Sequence, residues 1–151
     1  MWNKDKSFAV LRIVFSLIWL VDASFKWQPD FINQFVSYVT GALEGQPIVV
    51  QNWINLWIHL IGVSPHFFAY IVAIAETLIA LGLLFGFLTK YVCYSGILFS
   101  LVIWSTAEGF GGPYRSGSTD IGSAIIYALV FVALLLGESW KEFSFDMQIK
   151  Q

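Results

Sequence analysis

The sequence predicts an all-α membrane protein, built as a four-helix bundle with an additional interfacial helix between its first and second spanning helices. Composition is the first reason, because 58% of the 151 residues are hydrophobic and only 12% are charged. A single small globule has too little interior to hide so much apolar surface. The second reason is that uncharged or nearly uncharged apolar runs of spanning length recur along the chain.

Four apolar runs form the predicted spans, at residues 7–25, 67–89, 91–107 and 121–137. Each run is near or above the lower limit of about 17 residues for crossing a bilayer as a helix. Only the turn around Lys90 separates the second run from the third, so we expect these two helices to be antiparallel neighbours. Residues 1–151 are expected to form one integral membrane domain.

The first run also has features of a signal peptide, because Lys4 and Lys6 precede its apolar core. Two features favour a helix that stays in the mature protein. Arg12 interrupts the apolar core, and the sequence around Asp22 is a poor small-residue cleavage site.

The distribution of positive charge predicts the orientation of the bundle. With four crossings, the N-terminus, the turn at Lys90 and the C-terminal tail share one side of the membrane, and most lysines fall there. The residues on that side are Lys4, Lys6, Lys90, Lys141 and Lys150, against Lys26 and Arg115 on the other side. The positive-inside rule therefore predicts cytoplasmic termini and an extracytoplasmic loop at residues 108–120.

Residues 48–62 carry the pattern of an amphipathic helix that is too short to span the bilayer. Polar side chains such as Asn52 and His59 alternate at near-helical spacing with apolar ones such as Leu56. We expect an interfacial helix along the outer membrane surface, anchored by Trp53 and Trp57.

Three ionisable residues, Arg12, Asp22 and Glu76, fall inside the predicted spans, where each costs about 2.5–3.5 kcal/mol on insertion scales. This cost favours substrate or proton handling for Glu76 over packing alone, while Asp22 is balanced between the two. Helical rise places Glu76, Asp22 and Tyr127 in roughly one layer. Arg12 either reaches towards Glu76 or extends to the inner surface, and the sequence leaves both alternatives open.

The glycine-rich loop between the last two spans has two interpretations. Its glycines allow successive backbone N–H groups to form an anion-binding nest with Arg115 and the start of the next helix. Alternatively, the loop is a tight connector with Gly-Pro turn chemistry. In either case Asp120 is expected to cap the following helix.

Other chemistry is disfavoured by the remaining residues. The net charge of −2 includes no basic patch, so nucleic-acid binding is not expected. The single cysteine, Cys93, excludes an intrachain disulfide and a CxxC pair. His59 and His66 are about 10 Å apart by helical rise, too far to bind one haem iron together, so no metal or haem site is predicted.

Three stretches resemble a known family: Arg12 with Lys26, AETLIALGLLFGFLTK at residues 75–90, and above all EGFGGPYRSGSTDIGSAIIY at residues 108–127. They are similar to the DoxX/DoxD-like membrane proteins, and most similar to the DoxD subunit of thiosulfate:quinone oxidoreductase. The resemblance implies a four-helix membrane fold and oxidation of thiosulfate to tetrathionate, with electrons passed to a membrane quinone. No other cofactor is assigned.

The resemblance also implies roles for individual residues. Glu76, Asp22 and Tyr127 form the expected catalytic set, in which the two carboxylates donate or relay protons. Arg115, Lys26, Glu108 and Trp104 form the expected substrate-binding set, with Arg115, Lys26 and loop N–H groups holding the sulfur dianion. Trp19, Trp104 and Tyr127 are expected beside the quinone ring, and Arg12 is a structural partner or relay.

The expected partners are the lipid bilayer and either a second extracytoplasmic subunit or a larger membrane complex. The alternative function is a non-catalytic accessory subunit of a larger respiratory membrane complex, with its polar residues satisfied by partner helices.

Overall fold

The computed structural model describes residues 3–114, 118 and 120–149. All regular secondary structure in these ranges is helical, as predicted. The α-helices are α1 Lys4–Phe25, α2 Pro29–Asn33, α3 Phe35–Thr40, α4 Ile48–Gly62, α5 Pro65–Phe85, α6 Thr89–Ser105, α7 Ser123–Leu136 and α8 Phe145–Ile149, with 3₁₀ turns at Gly41–Leu43 and Gly109–Gly111.

Local chemistry explains where the two longest helices begin and end. The Asn3 side chain accepts the Lys6 N–H at 2.9 Å and so caps the start of α1. Pro65 occupies the first turn of α5, where its missing N–H costs nothing. Gly86 adopts a left-handed conformation with φ 63° and ends α5. The helix therefore stops four residues before the predicted boundary at residue 89.

Helices α1, α5, α6 and α7, which correspond to the four predicted spans, pack against one another. Extensive contacts join α1 to α5 and α6 to α7, and a short turn joins α5 to α6, which also pack together. Their shared core contains edge-to-face aromatic pairs, with Phe15 and Trp19 of α1 each packing on Phe131 of α7 at ring distances of 5.0 and 5.1 Å. This core holds α1 and α7 side by side, and Trp19 also borders the cavity described below.

Helix α4 covers the range predicted for the interfacial helix, residues 48–62. It packs against α3 and α5 through a small apolar cluster that includes Val39, Ile54 and Ile61. Residues 29–43 form α2, α3 and a 3₁₀ turn, none of which is predicted by the sequence pattern. These pieces are too short to show a helical period, and packing against α4 and α5 stabilises them.

Two of these helices, α1 and α5, are long and apolar enough to cross a membrane. Helix α6 has 17 residues, and α7 has 14 residues although it is the most apolar of the four. Large apolar side chains face outward on α1 and α5, including Ile18 and Val21 on α1 and Leu78 on α5. A continuous apolar exterior of this kind suits lipid rather than water.

Candidate ligand cavity

A cavity of about 690 Å³ lies at the end of the helix bundle where α1 ends and α7 begins. Helices α1, α5, α6 and α7 all contribute to its wall, and α2, α3 and α4 close it on the side of residues 26–62. Aromatic rings supply much of the lining, from Phe31 and Phe35 at one side to Phe99 at the other. Its polar groups are fewer and include the charged side chains of Asp22, Lys26, Glu76 and Glu108. A concave, mostly apolar site with a few polar groups is typical of small-molecule binding.

Lys26 holds two carboxylates at this wall. Its Nζ atom lies 2.9 Å from Oδ2 of Asp22, one helical turn earlier, and 3.2 Å from Oε2 of Glu76 on α5. The side chain of Glu76 is 1% exposed, that of Lys26 19% and that of Asp22 40%. The three residues therefore form a charged path from the protein interior to its more open surface.

Small residues on α5 allow this contact. Ala69, Ala73 and Ala80 share the face of Glu76 and are fully buried, so that α1 approaches closely. Lys26 follows the last residue of α1 and faces Glu76 across this seam. Burial alone lowers the pKa of Lys26, but the charges of Glu76 and Asp22 outweigh burial and raise the pKa above its ordinary value. Lys26 is therefore a cation at neutral pH.

Tyr127 lines the same cavity from α7. Its ring packs edge-to-face on Trp19 at 5.2 Å and on Phe15 at 5.9 Å. The three residues expected in one layer, Asp22, Glu76 and Tyr127, thus all border one space.

Glu108 borders the cavity and binds the start of α7. Its carboxylate accepts the Ser123 hydroxyl at 2.8 Å and the backbone N–H groups of Ser123 at 3.2 Å and Ala124 at 3.1 Å. The expectation that Asp120 caps this helix is wrong. Among the described residues, Asp120 accepts the N–H of the adjacent Ile121 and none from α7, because Gly122, with φ 90°, separates it from the first helical turn.

The hydrogen bonds of the glycine-rich loop argue against the anion-nest interpretation. The N–H groups of Gly109, Gly111 and Gly112 donate to backbone carbonyls within the loop, at 2.8–3.1 Å. Glu108 already accepts the first N–H groups of α7. These N–H groups are therefore already hydrogen-bonded within the protein, which agrees with the tight-connector interpretation. Arg115 lies outside the described residues.

Trp104 stabilises this loop and is not part of the cavity wall. Its indole N–H donates to the Ile121 carbonyl at 2.8 Å, and its ring packs edge-to-face on Phe110 at 5.2 Å. Trp104 therefore does not border the cavity that Trp19 and Tyr127 line, although it was expected beside them.

Arg12 does not pair with Glu76, one of the two alternatives that the sequence left open. It is fully buried, and its Nη2 atom donates to the Phe143 carbonyl at 2.5 Å. Phe143 precedes α8, whose Asp146 accepts the N–H groups of Leu88 and Thr89 at 2.7 Å. Arg12 and Asp146 together fasten the C-terminal segment across the turn between α5 and α6.

Several polar residues of the cavity were not predicted from the sequence, among them Trp57 and Ser100. Trp57 was assigned to the membrane interface, but it lines the cavity from α4. Ser100 is fully buried on α6 and also lines it. A serine inside the uncharged run 91–107 was the available signal. In the described ranges, no group of three or more His, Cys, Asp or Glu residues is placed to hold a metal ion.

Comparison with known families identifies the protein class. The family model DoxX matches residues 7–109, which is more than half of the chain. The chain belongs to the DoxX family. Together with the two long apolar helices, this membership makes it a membrane protein. Comparisons with curated proteins and with solved structures gave no match.

Proposed function

We propose that this DoxX family protein is the membrane subunit of a quinone-linked oxidoreductase and that a membrane quinone binds in the cavity. The observation that carries the proposal is the Lys26–Glu76 ion pair, at 3.2 Å, set in the wall of an aromatic cavity of about 690 Å³. A buried carboxylate is costly in a membrane protein, and proton transfer is a function that justifies the cost.

The membrane arrangement is part of the proposal. Helices α1, α5, α6 and α7 would form a four-helix bundle across the bilayer, as one domain with cytoplasmic termini. The cavity and residues 108–120 would then lie at the extracytoplasmic end. The short turn between α5 and α6 and the lysine distribution support this orientation.

The residues of the cavity suit a neutral ring compound that exchanges protons. A quinone, when bound, supplies the capacity to take up two electrons and two protons. Glu76 and Lys26 hold or release a proton at the carboxylate and the ammonium, and the half-exposed Asp22 links them to water. Trp19 and Tyr127 offer aromatic faces against which a ring packs.

The thiosulfate half of the expected reaction does not suit this cavity. Asp22, Glu76 and Glu108 place carboxylates on its wall, and Lys26 is already paired with two of them. A sulfur dianion brought here is repelled by this acidic surplus. Thiosulfate oxidation therefore belongs to a second extracytoplasmic subunit, from which electrons reach the quinone; Arg115 remains the sequence-based candidate for contact with the anion.

Quinone reduction by the assembled complex tests the proposal. With thiosulfate as donor, Glu76→Gln is expected to lower the rate by about 10²-fold, the usual scale for a lost acid–base group. Glu44→Gln is the control, because Glu44 is exposed and does not line the cavity. An unchanged rate in Glu76→Gln, with the protein still required for assembly of a larger complex, favours the accessory-subunit alternative.

A further inference from the structure

Four of the buried polar atoms that lack a hydrogen-bond partner among the described residues belong to the cavity wall. They are Nε1 of Trp19, Nε1 of Trp57, Oγ of Ser100 and Oε2 of Glu76. The last atom is ion-paired with Lys26. The other three are N–H or O–H donors, and they come from α1, α4 and α6. A buried donor left without an acceptor costs about 1–3 kcal/mol, so three donors around one space indicate a ligand with acceptor atoms.

The surroundings of the donors restrict the ligand. Trp19 is 2% exposed and Ser100 is fully buried, and both stand among aromatic side chains such as Phe99 and Tyr127. Water molecules are poorly suited to accept from these donors in so apolar a space, because each water molecule needs two to four polar partners. An anionic ligand is disfavoured by the carboxylates on the same wall.

We infer that Trp19, Trp57 and Ser100 are specificity-determining residues that donate hydrogen bonds to the carbonyl oxygens of a neutral ring ligand. This inference rests on the proposed function, because it assigns recognition of the quinone to particular donors. Tryptophan is suited to the task, since its indole N–H can only donate. Trp57 also makes the surface helix α4 part of the binding site, so the cavity is complete only when α4 is docked.

The test compares two ligands that share a ring system. Menadione carries two carbonyl oxygens on a methylnaphthalene skeleton, and 2-methylnaphthalene carries none. Affinities are measured by calorimetry with the full chain in lipid nanodiscs, using protein-free nanodiscs as the blank. The variants are Trp19→Phe, Trp57→Phe and Ser100→Ala, each of which removes a donor and keeps most of the apolar volume.

Each variant is expected to weaken menadione binding by about three- to tenfold, the effect of one hydrogen bond, and to leave 2-methylnaphthalene unchanged. Trp53→Phe is the matched control, because Trp53 lies on α4 beside Trp57 but does not line the cavity. Equal losses of affinity for both ligands reveal a packing effect and overturn the inference. Unchanged menadione affinity in all three variants also overturns it.

Failure of the inference is distinguishable from failure of the proposed function. Donor-dependent menadione binding together with normal turnover in Glu76→Gln supports the inference and contradicts the proton role of Glu76. The opposite result is loss of turnover in Glu76→Gln with menadione bound no more tightly than 2-methylnaphthalene. It supports the proton role of Glu76 and contradicts the inference about the donors. Thiosulfate binding to the isolated chain that disappears in Trp19→Phe and Ser100→Ala overturns selection of a neutral ligand.

Discussion

The ammonium of Lys26 lies 3.2 Å from the carboxylate of Glu76 and joins the end of α1 to the middle of α5. Because Glu76 is 1% exposed, Lys26 is the group that makes its charge tolerable. The same ammonium also binds Asp22 at 2.9 Å. The pair therefore links the stability of the α1–α5 contact to the chemistry proposed for the cavity.

Removing the cation from this pair should destabilise the protein. Lys26→Met leaves Glu76 buried without its partner and is expected to cost about 3 kcal/mol in unfolding free energy. The double variant Lys26→Met/Glu76→Gln should recover most of the loss, because the amide carries no charge. Thermal unfolding in detergent provides the measurement, with Lys4→Met at the exposed start of α1 as the control. A double variant less stable than Lys26→Met contradicts the argument.

Glu108 should matter more to stability than Asp120, although both carboxylates belong to the loop before α7. Glu108→Ala removes the acceptor of the Ser123 and Ala124 N–H groups, and we expect a loss of about 1–2 kcal/mol. Asp120→Ala should change the unfolding free energy by less than about 0.5 kcal/mol. Chemical denaturation of the two variants under one condition decides between them. The opposite ranking would show that Asp120 is the cap.

Asp146 should keep the C-terminal segment docked. Asp146→Ala removes the acceptor of the Leu88 and Thr89 N–H groups, so residues after α7 should become cleavable by protease at a concentration that spares the wild type. Glu142→Ala, in the same segment, is the control, because its carboxylate forms no hydrogen bond or ion pair within the described ranges. Equal protection of both variants argues against this clamp.

Gly96 should be required for the packing of α6 on α7. A Cβ atom at this position would overlap the ring of Phe131, which is fully buried, so Gly96→Ala is expected to cost about 1–3 kcal/mol. Gly62→Ala is the matched helical control, since a Cβ atom there meets open space, and alanine should stabilise α4 slightly. The melting temperatures of the two variants should therefore move in opposite directions. A stabilised Gly96→Ala protein would refute the proposed close contact.

Helix α4 shows why some elements could be predicted from the sequence. Its amphipathic period runs over residues 48–62, and Pro47 marks its start, so local information was sufficient. The end of α5 was placed too late because residues 86–89 continue the apolar run. Gly86 ends the helix there by adopting a left-handed conformation that hydrophobicity does not encode. Helices α2 and α3 were missed because five or six residues carry no measurable period.

Some residues of the candidate site could likewise be predicted from the sequence, and others could not. The cost of charge in an apolar span marked Glu76 and Asp22 from the sequence alone, and helical rise placed Tyr127 at their depth. The partner of Glu76 was not predictable, because Lys26 lies fifty residues earlier and reaches it only where alanines bring α1 against α5. Trp57 had no signal for the cavity, since its interfacial pattern was equally well explained by membrane anchoring.

The sequence by itself determined the helical class, the apolar character of the long helices and the DoxX resemblance, because composition and period are properties of neighbouring residues. Only the tertiary structure decided which charges meet. It pairs Lys26 with two carboxylates and places the Arg12 guanidinium at the Phe143 carbonyl. It also makes Glu108, and not Asp120, the acceptor of the N–H groups at the start of α7. Such contacts depend on how closely distant helices pack, and small differences in side-chain volume at their interface set that distance.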